Sequence, residues 1–438
     1  MAKHTLRLSM VMADQNGNIF DNPERLMLCR RGDQWGTPKP GEVIPLPPES
    51  ELFLLPNRRA CGLNPDTGEV DLFDELAIAA FLAPAHTISA HPAYFADNDA
   101  PLLPLFAYCA VGFANDQFYV CAHKVDTDQR QCFASISRKK IEQHARALRK
   151  EYPHNRLVNH ILNNCVARYD CPAARNFALG RYEAPLPTSQ SCNARCLGCI
   201  SKQEKDSPVH VTPQCRLEFT PRPEEIVEVM TIHAHRERKR PIYSFGQGCE
   251  GDPLQNPDLL AESIRLFRAK NGPGTINCNT NGSRPSAIPI LADAGLTSIR
   301  VSLNSAQEEL YHKYYRPLGY SFQDVTNTIR TAREKELFVS LNLLYFPGIT
   351  DTEEELTALV NLIRQNGVSM IQWRNLNIDP AWYMHTMTEK NGTNRQSFGM
   401  GLTTFMKRLK KECSWLIYGY FNPWLGEKAV ITAPMPSA

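Results

Sequence analysis

From about residue 185, short apolar runs alternate with helix-like stretches, and this alternation restricts the fold more than any other feature of the chain. Strands are predicted at 241–245, 274–279, 298–303, 337–345 and 370–373. Strands and helices that alternate in this way form a parallel sheet with right-handed crossovers. About six such units fit either an open doubly wound sheet or a partial (βα) barrel. In both folds the chemistry lies at the carboxyl ends of the strands.

The helices between these strands are predicted from apolar residues at helical spacing. They fall at about 222–238, 287–294 and 322–335, with a further helix through Leu259, Ile264 and Phe267. The helix after the strand at 337–345 is predicted to start at Asp351 as its N-cap, with Glu354 three residues later as in a capping box.

The first 184 residues show a different pattern. Short strands are predicted at Thr5–Met12, Asn18–Phe20, Leu52–Leu55 and Phe118–Cys121, and helices at Leu76–Leu82 and Ser137–Arg149. We therefore divide the chain into four parts. They are an N-terminal β-rich domain (1–90), a mixed cysteine-containing connecting region (91–184), the (βα) core (185–380), and a C-terminal helix with an aromatic tail (381–438).

Composition excludes some partners. Lys and Arg number 48 and Asp and Glu 46, so the charge balance gives no reason to expect nucleic acid or an anionic membrane as a partner. The N-terminus lacks a signal-peptide pattern, and the chain has no run of about 18 apolar residues, so we expect no transmembrane helix. The expected compartment is the cytoplasm, where the 14 cysteines are reduced thiols or metal ligands.

Three of these cysteines, Cys192, Cys196 and Cys199, lie within eight residues and are spaced C-x3-C-x2-C. Thiolates are ligands for iron–sulfur clusters and for zinc. Three are too few to saturate a four-iron cluster, so such a cluster would keep one iron open for a small molecule. The alternative is a structural zinc site with Cys171 or Cys215 as its fourth ligand. A zinc ribbon usually has two C-x2-C pairs, and this chain has only one such step.

A glycine-rich stretch, Gly246-Gln-Gly-Cys-Glu-Gly-Asp-Pro-Leu254, follows the strand at 241–245. Glycines let a ligand approach the backbone, where free carbonyls and a carboxylate can bind an ammonium group. Further polar or glycine-containing turns follow the next strands: Asn279-Thr-Asn-Gly282, Ser302 and Asn304, Tyr315-Arg316-Pro317, and Gly348 within Phe346–Asp351.

These motifs, in this order, resemble those of the radical SAM enzymes, over about 190 of the 438 residues. The resemblance implies a partial (βα)6 TIM-like barrel with an N-terminal β-rich or mixed extension. It implies that Cys192, Cys196 and Cys199 hold a [4Fe–4S] cluster whose open iron binds the methionine end of S-adenosylmethionine (SAM). The residues that it implies for SAM contacts are Glu250, Gly251, Asp252, Ser302, Asn304, Arg316 and Gly348.

Two residues depart from the pattern of the family. Asp252 stands where the glycine-rich motif usually has Glu, so the acid is kept but shorter. Gly198 stands where the family usually has an aromatic residue close to the adenine, just before the third cysteine. The adenine contact must therefore differ from the usual one or rest on the main chain.

The resemblance implies an enzyme that cleaves SAM reductively to methionine and a 5′-deoxyadenosyl radical, which abstracts hydrogen from a peptide, a protein or a small metabolite. It also implies a flavodoxin- or ferredoxin-like donor of low-potential electrons and an anaerobic setting. No catalytic side chain is identified. The alternative class is a non-catalytic iron–sulfur or zinc protein, either an electron carrier or a structural module. A second cluster from Cys109, Cys121, Cys165 and Cys171 is a weaker prediction, because their spacing matches no specific motif.

Overall fold

The computed structural model describes residues 6–389, the backbone of residues 390 and 393–394, and residues 399–426. Within these residues the chain forms two large sheets, an antiparallel one in the N-terminal part and a parallel one in the second half. Thr5, the predicted start of the first strand, and residues 391–392, 395–398 and 427–438 of the predicted C-terminal segment lie outside the described residues. No described helix is both long enough and apolar enough to cross a membrane.

The N-terminal part consists of strands. In chain order they are β1 (Ser9–Ala13), β2 (Ile19–Met27), β3 (Cys29–Arg31), β4 (Gln34–Gly36), β5 (Val43–Pro45), β6 (Glu51–Leu63), β7 (Val70–Phe81), β8 (His86–Ile88), β9 (His91–Pro92), β10 (Tyr94–Ala96), β11 (Val111–Ala114) and β12 (Gln117–Lys124). Nine of these form one antiparallel sheet along the order β10-β6-β2-β1-β11-β12-β5, where β7 pairs with β1 and β6, and β8 with β12. The remaining three form a small sheet in the order β4-β3-β9.

The turn between β1 and β2 forms for a local reason. The side chain of Asp14 accepts hydrogen bonds from the backbone N–H groups of Asn16 at 2.8 Å and Asn18 at 2.9 Å. Gly17 has a φ of +85°, which an L side chain rarely adopts. The two strands pair antiparallel, which confirms the predicted return strand after this turn.

The predicted helix at Leu76–Leu82 is wrong, because most of this segment lies in β7, between β6 and β1. Its alternate residues face two different apolar cores, with Ile78 and Ala80 in one and Ala77 and Ala79 in the other. A strand that is buried on both faces is apolar at every position. Its sequence therefore lacks the alternation of apolar and polar residues that identifies a half-buried strand. The same sheet continues through β12, so the predicted boundary at residue 90 falls inside it. The division into domains stays a prediction.

A helical segment connects the two sheets. It contains α1 (Arg138–Glu151), α2 (Arg156–His160), a π-helix at Ile161–Val166, and α3 (Pro172–Leu179). Helix α1 confirms the predicted helix at Ser137–Arg149, since Ser137 caps it and Ile141, Ala145 and Leu148 are buried. These helices share one continuous apolar core with the parallel sheet.

The second half alternates strands and helices. Its strands up to residue 375 are β13 (Glu183–Leu186), β14 (Ile242–Phe245), β15 (Thr275–Thr280), β16 (Ser298–Leu303), β17 (Phe338–Tyr345) and β18 (Met370–Asn375). Its helices are α4 (Pro223–Arg236), a 3₁₀ turn at Pro253–Gln255, α5 (Pro257–Ala269), α6 (Ala287–Ala294), α7 (Glu308–Tyr315), α8 (Phe322–Glu334), α9 (Glu353–Asn366), α10 (Pro380–Thr388) and α11 (Leu402–Glu412). The C-terminal strands are β19 (Glu389–Lys390) and β20 (Thr393–Asn394), which pair with each other, and β21 (Ile417–Gly419).

The strand order decides between the two parallel folds. All neighbours in the sheet are parallel and follow the chain order β13-β14-β15-β16-β17-β18-β21. A doubly wound sheet reverses its order at a switch point, whereas a barrel adds each strand beside the previous one. The fold is therefore a partial TIM-like barrel, as predicted. The seventh strand, β21, lies in the segment that was predicted only as an aromatic tail.

Helix α9 begins one residue later than predicted. Its N-cap is Thr352, whose hydroxyl accepts a hydrogen bond from the backbone N–H of Glu355 at 3.2 Å. Asp351 instead accepts from the backbone N–H groups of Gly348 and Gly401, so it joins the turn after β17 to the start of α11.

The N-terminal sheet is fixed to the barrel by buried polar contacts. The side chain of Asn375, at the end of β18, accepts from the backbone N–H of Ile88 at 2.8 Å and donates to the carbonyl of His86 at 3.0 Å. Asp379, which caps α10, accepts from the guanidinium of Arg58 at 3.1 Å in an ion pair that is almost fully buried. A buried charge that loses its partner is costly, so this pair makes the docking specific.

Arg58 and its neighbour Arg59 provide a matched test of this docking. We expect Arg58→Ala to destabilise the protein by about 3–5 kcal/mol, because it leaves the Asp379 carboxylate buried without a cation. Arg59→Ala removes a half-exposed pair with Asp97 and should cost less than about 1 kcal/mol. The measurement is the midpoint of urea unfolding for both variants and the wild type. Equal shifts for the two variants would contradict a docking role for the buried pair.

Candidate active site

The three cysteines lie in the loop that follows β13, at the carboxyl end of the barrel. Backbone hydrogen bonds join this loop to the end of α7: Arg195 N–H donates to the Tyr315 carbonyl at 2.9 Å, and Leu197 N–H to the Tyr314 carbonyl at 3.0 Å. The side chain of Gln203 closes the loop from the other side by donating to the carbonyls of Leu197 and Cys199, both at 2.9 Å. The positions of the thiols are therefore set by hydrogen bonds to the main chain of the loop.

Hydrogen-bond donors surround the sulfur atoms. The Arg216 guanidinium lies 3.5 Å from Cys199 Sγ, and the Asn281 amide lies 3.9 Å from Cys192 Sγ. Burial, reinforced by the negative charge of Asp252, raises the pKa of Cys192 to about 11. Burial also raises the pKa of Cys196 well above its usual range. At neutral pH these groups are thiols, so metal binding must displace their protons, as is general for cysteine ligands.

The distances between the three sulfur atoms distinguish the two metal centres considered for this loop, a zinc ion and a four-iron cluster. Two thiolates on one tetrahedral zinc lie about 3.8 Å apart, since Zn–S is ~2.3 Å. Among the described residues, the sulfurs of Cys192, Cys196 and Cys199 do not form a set whose members all lie within 4.8 Å of one another. A four-iron cluster gives each thiolate its own iron and so suits a wider set. The donor set and the N–H groups around it fit such a cluster.

Glu250 holds the glycine-rich loop in place. Its Oε1 accepts from the backbone N–H groups of Gly246 and Gln247, both at 2.8 Å, and its Oε2 from those of Thr188 at 2.6 Å and Ser189 at 2.8 Å. A carboxylate offers about four acceptor positions, and all are used. Burial raises the pKa of Glu250 to about 7, although the N–H donors favour the charged form. The side chain therefore ties the end of β13 to the loop after β14.

Asp252 makes a second tie, between the glycine-rich loop and the end of β15. Its carboxylate accepts from the Thr280 hydroxyl at 2.8 Å, from Asn281 N–H at 2.6 Å and from Leu254 N–H at 3.0 Å. Burial raises the pKa of Asp252. The shorter acid at this position thus serves three donors of the protein itself.

A cleft of about 300 Å³ lies beside the cysteine loop. Four of the residues predicted to contact SAM line it: Glu250, Gly251, Asp252 and Ser302. The cleft is also bordered by residues that sequence reading did not single out for this role, namely Arg216, Gln247, Tyr314, Tyr315 and Asn342. All three cysteines of the loop, Cys192, Cys196 and Cys199, also line the cleft.

Three predicted SAM contacts lie elsewhere. The Asn304 amide is buried and donates to the Leu310 carbonyl at 3.1 Å and to the Tyr383 hydroxyl at 3.3 Å. Arg316 lines a separate small space that also borders Cys192 and Cys196, and it donates to the Arg195 carbonyl at 2.6 Å.

Gly348 contacts the N-terminal sheet. A Cβ at this glycine would lie 2.4 Å from the backbone nitrogen of Gly32, and its φ is +89°. In this chain, the turn around Gly348 therefore packs against Gly32, which lies outside the region that resembles the family.

Gly198 has a physical explanation. A Cβ at this position would lie 2.9 Å from the Asn377 carbonyl oxygen and 3.0 Å from the Tyr314 hydroxyl. Tyr314 comes from α7 and lines the cleft beside the third cysteine, so an aromatic side chain at 198 would collide with it. The aromatic ring beside this cysteine therefore comes from a different element.

A larger chamber of about 750 Å³ adjoins the cleft. The residues lining both spaces are Ile200, Gln247, Asn279, Arg300 and Asn377. The N-terminal part and the helical segment form further walls, through residues such as Leu82 and Cys171. The barrel, the helical segment and the N-terminal part therefore line this chamber together.

Two arginines of the chamber, Arg300 and Arg374, form no ion pair within the described part of the chain, although Glu183 also lines the chamber. Arg300 donates to the neutral side chains of Gln372 at 2.9 Å and Asn422 at 3.3 Å. Arg374 stacks over the Tyr420 ring at 3.8 Å from its centroid. Among the described residues, the Nε atoms of both are buried without an acceptor. Burial and the charge of Arg374 lower the pKa of Arg300 to about 9, which leaves it cationic at neutral pH.

The four cysteines proposed for a second cluster do not come together. Cys109 and Cys121 lie in the core of the N-terminal sheet, where Cys109 Sγ donates to the Cys121 carbonyl at 3.1 Å. Cys165 and Cys171 belong to the helical segment that packs on the barrel. The prediction of a cluster from these four is wrong, because the chain places them in two separate cores.

Residues 186–360 match the sequence profile of the Radical SAM superfamily. This segment contains β14 to β17 of the parallel barrel and carries both the cysteine loop and the glycine-rich loop. Residues 186–360 therefore form a domain of the radical SAM superfamily, a family of enzymes whose cofactors are a [4Fe–4S] cluster and SAM. No curated protein matches the sequence.

Solved structures with similar chains include methylornithine synthase (17% identity, TM-score 0.36, covering 65% of this chain and 72% of that one). A radical SAM methyltransferase from Sphaerobacter thermophilus is 16% identical, with a TM-score of 0.36 and coverage of 52% and 62%. SuiB from Streptococcus suis, bound to its precursor peptide SuiA, is 12% identical, with a TM-score of 0.36 and coverage of 62% of both chains. Similarities this weak carry no information about the substrate.

Gly251 and Gly248 offer a matched pair for testing how the cysteine loop is positioned. A Cβ at Gly251 would lie 1.9 Å from the Ser191 carbonyl oxygen, next to Cys192, and backbone there cannot yield cheaply. A Cβ at Gly248 meets only side-chain ends, of Gln214 and Ile200, both at 2.8 Å. We expect Gly251→Ala to cost about 1–3 kcal/mol, as overpacking does, and to lower the iron bound per chain several-fold after anaerobic reconstitution. Gly248→Ala should stay close to wild type, and equal iron in both variants would contradict the proposed positioning.

Proposed function

We propose that this enzyme binds its cluster through Cys192, Cys196 and Cys199, cleaves SAM in the adjoining cleft, and uses the 5′-deoxyadenosyl radical to abstract hydrogen from a substrate in the chamber. The observation that carries the proposal is that the cleft and the chamber adjoin. Gln247, Asn279 and Arg300 line both, so a group formed in the cleft would lie next to a substrate in the chamber.

When bound, the cluster supplies the electron that breaks a sulfur–carbon bond of SAM, and the protein supplies position and enclosure. The carboxylates of Glu250 and Asp252 already accept hydrogen bonds from donors within the protein. We therefore expect main-chain carbonyls of the glycine-rich loop to bind the ammonium group of SAM. Ser302 and Asn342 add polar side chains to the cleft, and Tyr314 adds the aromatic surface that Gly198 lacks.

The residues of the cysteine loop provide the direct test of this assignment. After anaerobic reconstitution and dithionite reduction, the wild type should hold about four irons in that cluster and form 5′-deoxyadenosine from SAM. The triple variant Cys192→Ala, Cys196→Ala, Cys199→Ala should lose this iron and form none. Cys215→Ala is the control, because the exposed Cys215 was, with Cys171, one of the two candidate fourth ligands of the zinc alternative.

A variant at Cys215 that loses the metal would support the zinc alternative. A wild-type protein with a full cluster and no cleavage of SAM would support a non-catalytic iron–sulfur protein. Either result would overturn the proposal, whereas iron and cleavage that both depend on the three cysteines alone would support it.

The chamber favours a substrate with an anionic group. Arg300 and Arg374 bring two positive charges close to the cleft, and their hydrogen-bonding partners are neutral or absent among the described residues. A guanidinium binds carboxylate and phosphate well, because its N–H donors match two oxygens at once. We therefore expect the substrate to place a carboxylate or phosphate against these arginines.

Thermal stability with matched ligands tests this expectation. We would screen carboxylic acids, each against its primary amide, for an increase in the melting temperature of the SAM-loaded enzyme. A ligand at 100 times its Kd stabilises by about 2.7 kcal/mol. Acids should stabilise the wild type more than their amides, and Arg374→Gln should abolish the difference.

Arg240→Gln is the control for this screen, since Arg240 also lies over an aromatic ring, that of Trp424 at 5.4 Å, outside the chamber. Equal responses to acids and amides, or a loss of response in the control, would contradict the assignment of the anionic group.

A further inference from the structure

Three side chains of types that can bind a metal lie close together, outside the cysteine motif. One of them, Cys249, belongs to the glycine-rich loop. The ligand atoms of His160, Cys165 and Cys249 all lie within 4.8 Å of one another, and the two sulfurs are 3.9 Å apart. Both cysteines are buried, and His160 is partly buried. Neither the family motif nor the cysteine spacing predicts this group.

The π-helix brings His160 and Cys165 together. They are five residues apart, which in an α-helix of 3.6 residues per turn places them about 140° apart. A π-helix is wound more widely, with hydrogen bonds between residues five apart, so it brings the two side chains much closer to the same face. The segment Ile161–Val166 is such a helix, and Ala167 N–H donates to the Leu162 carbonyl at 3.3 Å, five residues back. π-Bulges are frequent at functional sites.

The histidine supplies an independent sign of a ligand. Its Nε2 is buried and has no hydrogen-bond partner among the described residues. Such an atom is unfavourable unless something binds it. The other ring nitrogen, Nδ1, lies 3.1 Å from the side-chain amide of Asn164. With the amide oxygen turned toward Nδ1, this contact would fix the tautomer that leaves Nε2 free for a metal.

The distances select the kind of metal. Two thiolates on one tetrahedral zinc lie about 3.8 Å apart, from a Zn–S bond of ~2.3 Å, and the observed separation is 3.9 Å. A disulfide would need ~2.05 Å. We propose that His160, Cys165 and Cys249 bind a single zinc ion. Among the described residues no fourth ligand atom lies in this group, so the fourth position falls to water or, after a movement of its side chain, to Cys171, whose backbone N–H donates to the Cys165 carbonyl at 2.8 Å.

The site would join two parts of the active centre. Cys249 immediately precedes Glu250, and its carbonyl accepts from Leu217 N–H at 2.8 Å. His160 and Cys165 belong to the helical segment that lines the chamber. The zinc therefore cross-links the wall of the chamber to the loop of the SAM cleft. It holds structure and takes no part in the cleavage of SAM.

Metal analysis of a cluster-free protein tests the proposal. The triple variant Cys192→Ala, Cys196→Ala, Cys199→Ala removes the cluster ligands, so any remaining metal reports on other sites. We expect one zinc per chain in this background. In the metal-free protein, Co²⁺ alone should produce the absorption of a tetrahedral thiolate complex.

Further substitutions in the same background identify the ligands. Adding His160→Ala or Cys165→Ser should weaken Co²⁺ binding at least tenfold, and Cys171→Ser shows whether that thiol is the fourth ligand or water takes its place. Cys278→Ser is the matched control, because Cys278 is a fully buried cysteine outside the group. Circular dichroism checks that each variant folds. If Cys165→Ser does not fold, His160→Ala alone tests whether these side chains bind the metal.

Three results would overturn the proposal. They are a cluster-free protein that contains no zinc and gives no cobalt spectrum, unchanged cobalt affinity in His160→Ala, and binding of iron with sulfide at this site in place of one zinc. None of these results bears on the cleavage of SAM, so the proposed function is tested separately.

Discussion

The carboxylate of Glu250 connects the parts of the active centre. It takes four backbone N–H groups, two from the end of β13 and two from the loop after β14. Because the cysteine loop continues from the first pair and the SAM cleft is built on the second, the positions of the thiols and of the cleft are coupled. Asp252 extends the same frame to β15. Removing an acceptor from so many buried donors would leave several of them unsatisfied at once.

The second constraint is the packing of the N-terminal part and the helical segment against the barrel, because these elements line the chamber. The barrel alone is open between β13 and β21, which are the two edges of its sheet. The helical segment and the N-terminal sheet cover this region, and the buried pair of Arg58 and Asp379 fixes the latter in place. The proposed radical chemistry requires a site with limited access of water, and these walls reduce that access. The part of the chain without family resemblance thus contributes walls to the active centre.

Much of this could be predicted from the sequence, and the failures have physical reasons. The barrel was predictable because its strands and helices carry distinct apolar periods, and the cysteine loop because its ligands are close in sequence. The helix predicted at Leu76–Leu82 failed because a strand buried on both faces has no period. Tyr314 and the group of His160, Cys165 and Cys249 were missed because each depends on contacts between distant elements. Arg300 did carry a signal, since a charged residue inside the apolar strand 298–303 is unusual.

The central claim is that three cysteines hold a four-iron cluster whose remaining iron binds SAM. Electron paramagnetic resonance of the reduced, reconstituted enzyme tests it most directly, with spectra recorded before and after addition of SAM. The account predicts a [4Fe–4S]⁺ signal whose g-values change when SAM binds the open iron, and no such signal in the triple cysteine variant. A signal that SAM leaves unchanged, or one that persists without the three cysteines, would contradict the account.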